Sequence, residues 1–153
     1  MIGNLSGPEI EAVLRQCKVA HLGVFDGDRV YVFPVNYGYD GASFFLHSHE
    51  GLKIGAMRAH PEVCLQMEQI VSPAHWRSVM VHGAFTELTQ EAARDAALAA
   101  IVSQGEMTPP STAPYIEGHE RLVVYRIEPS EITGRYEQSE VLSLRHHGAA
   151  AAQ

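Results

Sequence analysis

The residues with the most chemical potential crowd into ten positions, "FFLHSHEGLK" (44–53). An apolar, strand-like run ends there in His47, Ser48, His49 and Glu50, then Gly51 and Lys53. If a helix begins near Gly51, Lys53 falls in its first turn. That end of a helix carries partial positive charge and unpaired N–H groups, so a lysine is disfavoured there unless an anion sits between them. Ser48 offers an O–H donor, and His47 offers an N–H donor or a full charge. Gly51 lets backbone approach a ligand closely. Helix N-terminus, lysine, serine and histidine together read as a phosphate site. The plainer alternative has Lys53 extending into solvent while Ser48 merely caps the helix.

A metal reading competes. Gly41, five residues and then His47-x-His49 match the first half of a cupin metal motif. That motif wants a glutamate several residues further on, and positions 53–54 hold Lys and Ile. A lysine so close would also repel a divalent ion. A second unusual stretch is "YVFPVNY" (31–37), where Pro34 and Asn36 interrupt an apolar strand. Backbone groups freed by the proline could read a flat heteroaromatic ring. An ordinary edge strand guarded by proline against aggregation has the same appearance. "HWRSV" (75–79) supplies the only tryptophan, Trp76, and then Ser78. His21, His82 and His119 stand alone in sequence and receive no role. Met57, Met67 and Met80 occupy apolar positions and read as core.

The elements that must position these groups follow from periodicity. Ser6 and Glu9 have capping-box spacing and Pro8 suits a first turn, which predicts a short helix carrying Ile10, Val13 and Leu14. Strands are predicted over 19–25, 30–39 and 43–47, joined by turns at 26–28 and 40–41 into an antiparallel meander. Pro34 places the second of these at an edge. A helix over about 51–59 ends at His60-Pro61. Further strands cover 62–68 and 77–88, with a loop at 70–75 and a bulge or bend at Gly83. Thr89 is expected to cap a helix running to about Gln104. A loop over 105–118 precedes a strand over 121–129, which 131–136 extends. Six strands with helical inserts predict a small antiparallel barrel whose interior is too narrow for a cofactor. A ligand is therefore expected on the outer wall, sheltered between two copies of the chain.

The bulk numbers agree with this outline. A chain of 153 residues predicts one domain, here 1–140, followed by a disordered tail at 141–153. The net charge of −7 argues against a nucleic-acid surface. Two cysteines, Cys17 and Cys64, are too few for a disulfide framework. No apolar run reaches membrane-span length and the first residues lack signal-peptide character, so a soluble, cytoplasmic protein is expected.

The order of these pieces resembles the FMN-binding split-barrel family related to pyridoxamine 5′-phosphate oxidase, in particular its nitroimidazole-resistance branch. The motifs that carry the resemblance are "VYVFPVNYGYDG" (30–41), "FFLHSHEGLKIGAMRAHPEVCLQ" (44–66), "WRSVMVHGAF" (76–85) and "LVVYRIEPSEITGR" (122–135). It covers about residues 8–136. The resemblance implies a mainly β, six-stranded antiparallel split barrel with α insertions. It also implies a homodimer with FMN in grooves at the subunit interface. Tyr31, Val32, Phe33, Pro34, Val35 and Asn36 would line the flavin ring and ribityl chain. His47, Ser48 and Lys53 would hold the phosphate, and Ser78 would approach from the fifth strand. His47 matches a histidine that the nitroimidazole branch ties to chemistry. The implied activity is an FMN-dependent oxidoreductase acting on a nitroaromatic or pyridoxamine-phosphate-like compound, with NAD(P)H as reductant. The fold also hosts flavin and haem binders without turnover, which leaves that alternative standing. Two departures count against pyridoxamine 5′-phosphate itself. Leu52 stands where the oxidases that name the family have an arginine, and the C-terminal segment has no tryptophan.

Overall fold

The computed structural model describes residues 1–105 and 122–139. The expected tail at 141–153 and nearly all of the 105–118 loop lie outside the described residues. Among the described residues, eight strands and three helices follow in chain order: β1 (Ile2–Asn4), α1 (Gly7–Gln16), β2 (Val19–Phe25), β3 (Val30–Asn36), β4 (Gly38–Tyr39), β5 (Phe44–His49), α2 (Leu52–Ala59), β6 (Glu62–Ser72), β7 (His75–Glu87), α3 (Glu91–Gln104) and β8 (Leu122–Gln138). α1 starts as its sequence dictates. Ser6 and Glu9 close a reciprocal capping box, with the Ser6 N–H donating to Glu9 Oε2 at 2.8 Å and the Glu9 N–H to Ser6 Oγ at 3.4 Å.

The strands form one antiparallel sheet in the order β3-β2-β6-β7-β8-β5-β4, with β1 added against β8. The sheet curls for a simple reason. Its two terminal strands, β3 and β4, are consecutive in the chain and separated only by Tyr37. Both ends must therefore meet at one residue. Tyr37 is fully buried and its hydroxyl donates to the Leu14 carbonyl of α1 at 2.6 Å. The inner face of the curl holds the core, including Leu22, Leu46, Leu65, Val81 and Ile127.

Several expectations need correction. The meander stops after its first hairpin: β2 pairs with β3 from Val19↔Asn36 to Phe25↔Val30, but the third run, β5, pairs with β8 and β4. The 30–39 run is two strands rather than one, because the chain must turn at Tyr37 to leave one sheet end and join the other. The sheet counts eight strands rather than six, since β1 and β4 are short additions. The 70–75 loop is mostly strand, with β6 and β7 meeting in a tight hairpin at 73–74. Thr89 does not cap α3. Gln90 occupies the N-cap position and makes no side-chain capping bond.

Two other expectations hold. Pro34 lies on the terminal strand β3, where a residue without an N–H costs no ladder bond on the open side. The β7–β8 register shifts between His82 and Gly83. A Cβ at Gly83 would meet the Glu128 carbonyl oxygen at 2.5 Å, so glycine is needed there for close strand approach.

The seam at Tyr37 and Gly38 predicts where stability concentrates. A Cβ at Gly38 would lie 2.5 Å from backbone atoms of Ala100 and Ile101 in α3. Gly38→Ala should lower unfolding free energy toward the upper end of the overpacking range of about 1–3 kcal/mol. Tyr37→Phe should cost about 0.5–1.5 kcal/mol, the net worth of one hydrogen bond, because Gln104 Nε2 still satisfies the Leu14 carbonyl at 2.9 Å. Denaturant unfolding measures both, and equal losses for the two variants would contradict the seam.

Candidate functional site

β5 carries the 47–49 residues to one mouth of the curled sheet. Its alternation separates them: Ser48 lies on the face of the core residues Phe44 and Leu46, whereas His47 and His49 lie on the other face. His47 and Ser48 therefore reach the strand end from opposite sides. Gly51 is the N-cap of α2 and no side chain caps this helix. Its first turn contains no acidic residue. The N–H groups of that turn have no intrahelical acceptor. Gly51 has φ of 163°, an extended value open to any residue, and an added Cβ would meet nothing within 4 Å. Neither backbone strain nor internal packing demands glycine here, which leaves room in front of the helix end.

Lys53 stands in this first turn. Its Nζ lies 4.9 Å from the centre of the Phe33 ring, a cation–π contact that joins α2 to β3. Phe33 in turn stacks near Tyr31 at 6.2 Å. The structure thus brings the 47–53 cluster and the 31–36 strand together through one lysine and one aromatic ring. Burial holds the Lys53 ammonium below the ordinary lysine range. Burial first, then the His49 and Lys53 charges, holds the His47 imidazole below the ordinary histidine value. Glu50, the adjacent carboxylate, is taken by Arg58, whose Nη1 and Nη2 each donate to it at 2.8 Å. Lys53 and His47 thus gather near the start of α2, while Glu50 is committed to Arg58.

The metal reading finds less support in the donor set. Among the described residues no group of three His, Cys, Asp or Glu side chains gathers as ligands. His47 and His49 share a face, but Lys53 is a charged neighbour of His47 and Glu50 is committed to Arg58.

Ser78 lies elsewhere, on β7, with β2 and β6 between it and β3. It shares the outer sheet face with Val32, Pro34 and Asn36. The register runs from Pro34 to His21 to Gln66 to Met80, and the adjacent row from Asn36 to Val19. Tyr31, Phe33 and Val35 lie on the inner side of β3 and pack against the core.

Sequence reading missed the network that holds Ser78. Gln66 Nε2 donates to Ser78 Oγ at 3.0 Å and to Glu68 Oε2 at 2.6 Å. Its carbonyl must then face His21, whose Nδ1 lies 3.1 Å away and acts as the donor. The His21 and Gln66 positions are 45 residues apart, and only the β2–β6 pairing reveals their contact.

Comparison with known proteins agrees with the fold. A family model described as pyridoxamine 5′-phosphate oxidase matches residues 6–136. The structure of a FAD-binding protein from Mesorhizobium loti superposes with a TM-score of 0.73 at 27% identity, covering 90% of this chain and 99% of that one. A candidate 5-nitroimidazole antibiotic resistance protein from Bacteroides thetaiotaomicron superposes with a TM-score of 0.70 at 20% identity, covering 89% and 87% of the two chains, a likeness of fold alone. An uncharacterized protein of Rhizobium meliloti is 33% identical over 84 residues, which span 55% of this chain and 56% of that relative. The match with this curated relative thus takes in only about half its length.

The like-charge crowding at the corner is directly measurable. Lys53→Met removes one positive neighbour of His47 while keeping the corner filled. The His47 imidazole should then titrate at higher pH than in the unaltered protein, yet still below an ordinary histidine because burial persists. Histidine titration by NMR reads this shift, and an unmoved His47 would show that Lys53 does not face it.

Proposed function

The chain belongs to the pyridoxamine 5′-phosphate oxidase family, and on that premise we propose that it is an FMN-dependent oxidoreductase. The observation that carries this reading is the uncapped end of α2 with Lys53 in its first turn and His47 beside it. A terminal phosphate dianion matches that corner because it accepts several N–H bonds and compensates the converging charge. FMN ends in such a group, whereas the phosphates of FAD are internal to the molecule. The flavin-binding relative from Mesorhizobium loti supports a flavin in this family fold.

Bound flavin supplies electron transfer through its ring. The chain's residues supply placement and electrostatics. Lys53, the α2 amides, His47 and Ser48 hold the phosphate end. Tyr31, Val32, Phe33, Pro34, Val35 and Asn36 offer the open edge of β3 to the ring and its side chain. Ser78, fixed by Gln66, marks a second polar point on the outer face.

That face also supports a homodimer. Val30 is 70% exposed, Val32 64% and Val19 50%, and Phe25 sits opposite Val30 in the ladder. Such a contiguous apolar patch favours burial against another chain, and a second copy would close a groove over β3 for the flavin. The substrate is a small nitroaromatic or pyridoxamine-phosphate-like molecule, with NAD(P)H as the reductant. Among the described residues no helix is long and apolar enough to cross a membrane, and Cys17 and Cys64 are free thiols, as suits a reducing cytoplasm.

Protein mixed with FMN and then desalted should stay yellow, with absorbance at ~450 nm travelling with the protein. Lys53→Ala should weaken FMN by about 1.5–3 kcal/mol, roughly tenfold to a hundredfold. It should leave riboflavin, which lacks the phosphate, nearly unaffected. Fluorescence titration with both ligands measures this, and equal losses for both would count against a phosphate at the corner. Bleaching of the bound flavin by NAD(P)H, followed by recovery with a nitroaromatic acceptor, distinguishes an enzyme from a binder that never turns over.

A further inference from the structure

We propose that Arg58 is a positioning residue for this site: it keeps the Glu50 carboxylate off the N-terminus of α2 so that the ligand's phosphate can occupy it. The inference rests on the flavin-phosphate reading of that corner.

Glu50 immediately precedes Gly51, the N-cap residue. A carboxylate beside a helix N-terminus is the group best suited to accept the orphan N–H groups, and it would also pair with Lys53. Yet the helix has no side-chain cap. Both Glu50 oxygens are occupied instead. Arg58 Nη1 donates to Oε2 and Nη2 to Oε1, each at 2.8 Å, in a two-pronged fork. Arg58 is itself tethered from a second side. Its Nε donates to Glu87 Oε2 of β7 at 3.1 Å, and its Nη2 to the same carboxylate at 3.0 and 3.1 Å. Arg58 lies in the last turn of α2, where the helix dipole favours a cation. The sheet thus holds the arginine, the arginine holds Glu50, and among the described residues no side chain caps the helix.

A structural role accounts for part of this arrangement, because a bidentate fork shared by two carboxylates is the geometry in which even half-exposed ion pairs add stability. The larger consequence is local. Without Arg58, Glu50 becomes a tethered anion competing with the phosphate for the same amides and the same lysine. A lysine at position 58 would keep the charge but lose the fork.

The test is a mutant cycle read by FMN and riboflavin titration. Arg58→Ala should weaken FMN about tenfold, while Arg58→Ala combined with Glu50→Gln should return to within about threefold of the unaltered protein, since the competing charge is gone. Riboflavin affinity should not change in either variant. Arg58→Lys, the gentler substitution, should weaken FMN less and be rescued by Glu50→Gln in the same way, which keeps the test intact if the alanine variant unfolds. FMN affinity unmoved by Arg58→Ala, or a loss that Glu50→Gln fails to repair, overturns the role of Arg58. Lys53→Ala serves as the separate control: if it leaves FMN binding unaltered, the phosphate reading itself fails, whatever Arg58 does.

Discussion

One residue closes this fold. The sheet begins with β3 and ends with β4, and Tyr37 alone lies between them. The chain must therefore curl the sheet until both ends meet, and the buried Tyr37 hydroxyl fixes that point to the end of α1. Because β3 and β5 share no ladder, the curl leaves a seam between the strand that carries Phe33 and the strand that carries His47. α2 starts at this seam, and Lys53 bridges it by resting on the Phe33 ring. A fully bonded barrel would leave no such opening. The candidate site is a consequence of how the sheet closes rather than an addition to it.

The electrostatics of the seam run against those of the whole chain. The sequence carries a net charge of −7, yet the corner gathers Lys53, His47 and His49 around an uncapped helix end. The carboxylate adjacent in sequence, Glu50, is held in the Arg58 fork. Burial lowers the proton affinity of both Lys53 and His47, because a low-dielectric setting disfavours each charged form. A bound phosphate would offset that cost by adding a negative neighbour, which is what the proposed reading requires of the corner.

Much of this was legible in sequence where the physics is local. The Ser6–Glu9 box, the 19–36 hairpin, the edge position of Pro34 and the bulge at Gly83 each depend on neighbours in the chain or on a single residue's backbone needs. The partner of β5 was not legible, because Val123 and Val124 lie more than seventy positions away and the hydrophobic alternation of β5 fits either neighbour equally well. The break at Tyr37 was hidden for a related reason: the apolar run continues through it while the chain changes sheet ends. The polar groups behind the site were equally obscure. His21, Gln66 and Arg58 look like scattered surface residues until strand pairing sets His21 beside Gln66 and the α2 ion pairs join Arg58 to Glu50 and Glu87.

The most direct measurement is a crystal structure of the protein grown with FMN. The account predicts the phosphate at the start of α2, accepting hydrogen bonds from its first-turn amides and from Lys53 Nζ, with Glu50 still in the Arg58 fork. Density for the phosphate anywhere else, with Lys53 still lying on Phe33 and the helix end facing only solvent, would contradict it.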